Sequence, residues 1–304
     1  MTRTDIRIAL PSKGALAEDS LVLLAEAGLK VRRPNPRQYQ ATIPALPGVT
    51  VIFQRPGDIV VGVRQGSIDF GITGYDILAE KGNVNGDQPI LLLHDALGYG
   101  HCTLNLAVPE DVPVRNMAEL QAWAEELAGN GRPLRIATKF PHTTAQFLAQ
   151  TNIQPVKLID AEGTLEIAPA VGYADLIADL VSSGITLRDN HLRILDDGEI
   201  LRSQAVLIAN RAALTGAISE RTRQWNKADL LSACEKQGVP AGPINDMEEV
   251  FADPQIMARG MQITCDGVPG VRSPMSFSGA ELATGAPSPK LGEHDAEIRG
   301  RRKG

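Results

Sequence analysis

The sequence predicts an α/β fold with largely parallel sheets in two lobes, followed by a smaller segment of different character. Three observations carry that expectation. Short apolar runs alternate with helical patterns throughout residues 1–210. The same strand–loop–helix start occurs twice, at Ile6 and at Leu134. Near Ala212 to Gly216 the composition shifts, and the chain beyond is rich in Pro, Gly and Ser.

The elements follow in order. "IRIAL" is a short apolar strand and "PSKG" a turn. "ALAEDSLVLLAEAG" is a helix that Gly28 is placed to end. "VTVIF" is a second buried strand. "RPGDIVVGVRQG" opens on a Pro-Gly turn, offers Asp58 as a helix cap and stops at Gly66. "IDFGITG" is a strand with a glycine-rich exit, "HCTLNLAVP" alternates like another, and "MAELQAWAEELAG" is an amphipathic helix. "PLRIATKFPHTTAQFLAQ" repeats strand, short loop and helix. In such sheets ligands sit beyond the carboxyl ends of the strands, where these loops emerge. Past the boundary, "NKADLLSACEKQG" is a helix capped by Asn226 and stopped at Gly238, and two short helical pieces follow it.

Composition narrows the function. A chain of 304 residues, 43% hydrophobic, can bury a real core, and with 4% aromatics that core rests on Val, Ile, Leu and Ala. Net charge is −6 and the pI near 5.5, which argues against a nucleic-acid or acidic-membrane surface. No run has transmembrane length, and "MTRTDIRIAL" lacks a signal peptide's apolar stretch. Cys102, Cys234 and Cys265 are far apart and form no zinc or disulfide pattern, which fits a reducing cytoplasm. His94 and His101 suit no single helical face, and the locally basic "EIRGRRKG" reads as a frayed end.

The stretch "ADLIADLVSSGITLRDN" holds the densest set of candidate ligands. A helix starting at Pro169 would put Ala170, Val171, Ala174, Ile177 and Val181 in one stripe and Asp175 and Asp179 on one edge. "SSGIT" then supplies the Ser182, Ser183 and Thr186 hydroxyls and the permissive Gly184. Thr186 can cap a following helix, with Asp189 three residues on. The acids suit ribose hydroxyls or a bound Mg2+, and the loop with its helix start suits a phosphate. An ordinary capped turn on a solvated helix fits the pattern equally well.

Longer blocks add to this. "IALPSKGAL", "RPGDIVVGVRQGSIDFGITGYDIL", "RIATKFP", "EIAPAVGYADLIADLVSSGITL" and "SQAVLIANRAAL" resemble, in order, the blocks of the ATP phosphoribosyltransferase family, the first enzymes of histidine biosynthesis. The resemblance covers about residues 4–214. It implies condensation of ATP with phosphoribosyl pyrophosphate to N1-phosphoribosyl-ATP and pyrophosphate, with Mg2+ present. It also implies two lobes of the periplasmic-binding-protein type, one formed by residues 1–93 with 182–211 and the other by 94–181. On that basis Asp175, Asp179, Ser182, Ser183, Gly184 and Thr186 bind phosphoribosyl pyrophosphate. Lys13, Arg55, Asp69, Gly71, Thr138 and Lys139 attend ATP or the pyrophosphate, although Asp69 and Gly71 are equally readable as structural. Glu166 is an acid on the Mg2+ side or a plain helix-start carboxylate. Ala15, Ala145 and Gln146 stand where the family often has Arg, which implies weaker nucleotide binding.

The family also implies a homo-oligomer and, in its short form, a synthetase-like regulatory subunit. Residues 219–293 resemble neither of the family's endings. "ERTRQWNKADLLSACEKQGVPAGPINDMEEVFADPQIMARGM", "SPMSFSG" and "PKLGEH" resemble instead the C-terminal part of family III CoA-transferases, without that family's catalytic half. Segment 212–304 is therefore expected as a separate CoA-transferase-like appendage, with no such activity of its own. Its Leu230, Leu231, Val250, Phe251, Ile256 and Met257 call for a partner surface or pack loosely. Two other functions remain on this reading: a non-catalytic ligand-binding or regulatory protein on the same fold, or a CoA-transferase-related fusion.

Overall fold

The computed structural model describes residues 5–82, 89–161, 163–273, 275, 278–279 and 292–301. Parts of "SPMSFSG" and "PKLGEH" lie outside the described residues. The chain divides into two compact units, Met1–Arg221 and Thr222–Gly304.

The first unit begins with β1 (Ile6–Pro11), α1 (Ala15–Glu26), β2 (Gln40–Thr42), β3 (Val49–Gln54) and α2 (Pro56–Gln65). β4 (Phe70–Gly74), α3 (Tyr75–Lys81) and β5 (Ile90–His94) follow. The chain then crosses to β6 (Cys102–Pro109), α4 (Met117–Gly129), β7 (Leu134–Thr138), α5 (Pro141–Gln150) and β8 (Val156–Asp160). After a helical turn at Leu165–Ile167 come β9 (Leu176–Val181), α6 (Ile185–Asp189) and β10 (Leu192–Ser203). β11 (Ala205–Asn210) returns to the start, and α7 (Arg211–Thr222) leaves it.

Among the described residues these strands form two sheets, ordered β2-β3-β1-β4-β11-β5 and β10-β6-β9-β7-β8. β1, β3 and β4 run parallel, as do β7, β8 and β9, while β11 and β6 enter antiparallel. Both faces of each sheet are covered. One face of the second sheet buries Leu106, Leu120, Leu134, Ile136 and Leu176 against α4 and α5. The other buries Ala107, Ala137, Leu165, Ile177 and Leu187. Burial on two faces explains why these strands read as unbroken apolar runs.

Three expectations change here. β10 belongs to the second sheet, paired with β6 from Leu192 to Ser203, so the return crossing falls at Gln204 rather than near residue 182. The helix expected from Pro169 is instead a turn followed by β9. Ala174, Leu176, Ile177 and Ala178 are buried together, because a strand between two covered faces needs apolar residues on both. α2 starts with Arg55 at its cap position and Pro56 next, so Asp58 lies in the first turn rather than at the cap.

The second unit holds α8 (Lys227–Lys236), α9 (Met247–Ala252), α10 (Pro254–Ala258), the hairpin of β12 (Gln262–Cys265) and β13 (Val268–Val271), and α11 (Asp295–Arg301). Asn226 caps α8 by accepting from the Asp229 N–H at 2.8 Å, and Gly238 follows with φ 68°. Asp246 and Glu249 form a reciprocal capping box on α9. The basic terminus expected to fray is helical through Arg301. Among its described residues this unit has none in the buried class; Ile244 is 95% exposed.

Candidate active site

The sheet registers locate the cleft. β4 ends at Gly74, where the Tyr75 N–H donates to the Gln204 carbonyl of the return crossing (3.0 Å). In the second sheet Thr103 at the start of β6 pairs with Val181 at the end of β9, and Cys102 pairs with Ser203. The carboxyl ends of the parallel strands in both sheets therefore face the crossing segments. The loops emerging there line the crevice in which α/β folds place ligands.

On the second sheet's side, Asp179, Lys139 and Glu166 meet at this edge. Asp179 is one residue from the pairing of Leu180 with Leu104, and its own partner is the buried Asn105. Its Oδ1 accepts the Leu180 N–H at 2.8 Å. Burial pushes the Asp179 carboxyl above its usual range. The Glu166 carboxylate adds to that rise, while the Leu180 N–H and the Lys139 ammonium oppose it. Beyond Val181 the exposed Ser182 and Ser183 lead to Gly184, which takes the α6 cap position at φ 70°. That left-handed conformation is one glycine adopts readily. Thr186 lies within the first turn of α6 and does not cap it, which corrects the expected capping pair with Asp189.

The first sheet contributes Lys13 and Arg55. β1 and β3 are parallel neighbours ending at Pro11 and Gln54, and the Ser12 N–H donates to the Gln54 carbonyl (2.8 Å). Both cations, exposed, thus leave the sheet side by side. The buried Gln54 Oε1 beneath them has no hydrogen-bond partner.

Four expected ligands are engaged within the fold. Asp175 precedes β9 at the opposite edge of the sheet, with its side chain 8% exposed. It accepts from Arg132 Nη1 (2.8 Å), Arg135 Nη2 (3.0 Å) and the Arg135 backbone N–H (2.9 Å). Burial raises its pKa, but these donors outweigh it and hold the carboxyl below its usual range. Asp69 precedes β4, again at the far edge, and its Oδ2 accepts the Arg7 N–H (2.8 Å). Gly71 lies inside β4, where a Cβ would come within 2.4 Å of Ile59 Cγ2; its task is packing. Thr138 is fully buried and its hydroxyl accepts the Phe140 N–H (2.9 Å), closing the turn before α5.

A cavity of about 680 Å³ on the second sheet is lined by residues including Trp123, Arg135, Asp175 and His191, and it reaches Glu166, the acid that neighbours Asp179. Two of its polar groups, Arg135 and Asp175, already satisfy each other. At the crossing edge Lys13, Arg55 and Lys139 are exposed, and Asp179 has Lys139 and Glu166 as charged neighbours.

Residues 55–228 match the family model described as ATP phosphoribosyltransferase. The ATP phosphoribosyltransferase of Mesorhizobium japonicum is 41% identical over 214 residues, covering 69% of this chain and 91% of that one. This chain belongs to the ATP phosphoribosyltransferase family. The chloroplastic ATP phosphoribosyltransferase 2 of Arabidopsis thaliana is 46% identical over 219 residues, 70% of this chain, and the match spans about half (51%) of that protein. The structure titled as an ATP phosphoribosyl transferase (HisG:HisZ) complex from Thermotoga maritima matches with a TM-score of 0.53 at 24% identity, over 71% of this chain and 92% of that one; it shows the shared fold. Residues 185–295 also match the model of CoA-transferase family III, so the two family matches overlap from 185 to 228.

Several further residues near the strand ends carry no sequence signal of their own. Asn105 and Thr103 flank Asp179 and Val181 on β6; the Asn105 amide donates to Thr103 Oγ1 (2.7 Å). Arg33 stacks over the Phe53 ring, 4.1 Å from its centroid, and donates to the Gln38 carbonyl (2.7 Å). A signal for the cations was present: no acid occurs between Glu26 and Asp58, whereas Lys30, Arg32, Arg33, Arg37 and Arg55 do. Asp179 and Glu166 are oxygen donors of the kind a divalent cation takes, and a positive charge there would offset the burial that chiefly raises Asp179 and the smaller repulsion from Glu166. No cluster of three or more His, Cys, Asp or Glu able to hold a metal occurs among the described residues.

Proposed function

We propose that this protein condenses ATP with phosphoribosyl pyrophosphate, forming N1-phosphoribosyl-ATP and pyrophosphate. The observation that carries the reading is that Asp179 has Lys139 and Glu166 as charged neighbours just before the Ser182–Gly184 turn, while Lys13 and Arg55 follow the parallel strands β1 and β3 of the other sheet. A phosphosugar bearing a pyrophosphate needs acceptors for its hydroxyls, amides for its 5-phosphate and cations for its leaving group.

In this reading the hydroxyls of Ser182 and Ser183 and the N–H groups from Gly184 to Thr186 hold the 5-phosphate. Asp179 accepts from the ribose hydroxyls, which fixes the ring. Lys13, Arg55 and Lys139 surround the pyrophosphate. Adenine N1 carries an unprotonated lone pair at neutral pH and attacks C1 as the C1–oxygen bond breaks. The electron pair of that bond leaves with the pyrophosphate. Positive charge develops on the sugar, as in glycoside chemistry, so a nearby carboxylate stabilises the transition state. Positioning and charge stabilisation suffice, and no strong general base is required. A Mg2+ ion, bound, would neutralise the departing pyrophosphate, with Asp179 and Glu166 the side chains available to hold it. A homo-oligomeric, cytoplasmic enzyme is part of the same proposal. A second, regulatory subunit is its other partner, motivated by the two-component Thermotoga complex.

Incubation of the purified chain with ATP, phosphoribosyl pyrophosphate and Mg2+, with pyrophosphatase present, should produce N1-phosphoribosyl-ATP. Absence of product both alone and with an added regulatory subunit would refute the assignment.

A further inference from the structure

The start of α5 is closed by a carboxylate that arrives from the first sheet's side of the molecule. Phe140 at the cap position makes no side-chain bond, and Pro141 has no N–H. The next two amides are both taken by Glu80 of α3: Oε1 accepts from the His142 N–H (2.9 Å), and Oε2 from the Thr143 N–H (2.9 Å) and the Thr143 hydroxyl (2.8 Å). Thr143 is buried and Glu80 half-buried, so the two charge-assisted bonds from Thr143 are partly shielded from water, while the one from His142 is exposed.

At its other end α3 is fixed to the crossing. The Ser203 hydroxyl donates to Asp76 Oδ1 (2.6 Å) and accepts the Asp76 N–H (2.9 Å). α3 is therefore a short strut, tied at one end to β10 and at the other to α5. The loop carrying Lys139 lies between two fixed points. Before it, the Thr138 hydroxyl holds the Phe140 N–H; after it comes the first α5 turn, gripped by Glu80.

We propose that Glu80 is a positioning residue for Lys139. Its carboxylate neutralises the positive start of α5, which would otherwise compete for substrate phosphates, and holds the Lys139 loop at the crossing edge. This inference rests on the phosphoribosyl-transfer reading for its kinetic consequence, but not for its structural one.

The test compares the full chain with Glu80→Ala and Glu80→Gln. Amide exchange at residues 138–143 should quicken about tenfold or more in Glu80→Ala, the size expected for losing a strong helix cap. kcat/KM for phosphoribosyl pyrophosphate should fall, with Glu80→Gln intermediate because an amide oxygen can still accept. Added formate, a free carboxylate of the right charge, should restore part of the lost activity in Glu80→Ala and leave the unaltered chain unchanged. Unchanged exchange at 138–143 would overturn the proposal. So would faster exchange with unaltered kcat/KM, which would make Glu80 a cap and nothing more. A chain that exchanges as expected but never turns over ATP would count against the reaction, while supporting Glu80's hold on the loop.

Discussion

Asp175 and Asp179 show how little a residue's spacing says about its surroundings. Both are carboxylates on one segment, yet Asp175 is bound by two guanidinium groups and Asp179 is left facing another acid. The partners that decide this, Arg132 and Arg135, lie about forty positions earlier and meet Asp175 only once the second sheet forms. Local reading could find the acids but not their environments. The difference has a consequence for stability. The Asp175 pKa is lowered on folding, so its stabilisation is present above the unfolded carboxyl value, about 3.9, and is lost as pH falls through the folded value. Asp175→Asn should therefore cost about 1–3 kcal/mol at neutral pH, the usual loss when a buried charged partner is removed. Below about pH 4 the gap between the variant and the unaltered chain should narrow. Urea titrations across pH measure both, and a gap independent of pH would argue against the ion pair.

At the scale of elements, the strand–loop–helix starts at Ile6 and Leu134 were legible. An apolar run, a short polar loop and a 3.6-residue stripe occur together there, and the structure has β1–α1 and β7–α5. β9 was not legible as a strand. Its residues "LIADLV" have apolar groups at both helical and strand periods, because both of its faces are buried. β2 and β10 lacked signals for other reasons: both are edge strands, β2 is only three residues long, and β10 pairs with β6, far back in the sequence. Gly71 illustrates a residue whose role belongs to an element. It lets α2 approach β4 closely enough for Ile59 to pack on the strand. Gly71→Ala should destabilise by about 1–3 kcal/mol, as overpacking does, and should cost less in an Ile59→Ala background, where the Cγ2 methyl is gone. Full additivity in that double-mutant cycle would remove the close approach from the account.

For the whole molecule, every buried apolar residue among those described lies between Ala9 and Ala209. The second unit makes helices with good caps but buries none of its described residues, as expected of a piece whose family match, 185–295, is partial. The composition shift near residue 212 signalled this change of character, although the division into units comes at Arg221, at the end of α7. A helix can run through a boundary that composition marks earlier. A chain ending at Arg221 should keep the thermal transition of the first unit within about 3 °C, a change worth less than about 1 kcal/mol for a domain of this size. A much larger fall would mean that the appendage is integral to the body's stability.

The central claim is that chemistry occurs at the crossing edge, around Asp179, and not at the far edge where Asp175 lies. Steady-state kinetics of Asp179→Asn and Asp175→Asn, each with its thermal transition, test it most directly. Asp179→Asn should lose about a hundredfold in kcat/KM, the scale of removing a transition-state electrostatic contact, with little change in melting temperature. Asp175→Asn should melt earlier and turn over normally while folded. The reverse pattern, with Asp175→Asn inactive and Asp179→Asn unimpaired, would move the site to the other edge of the sheet.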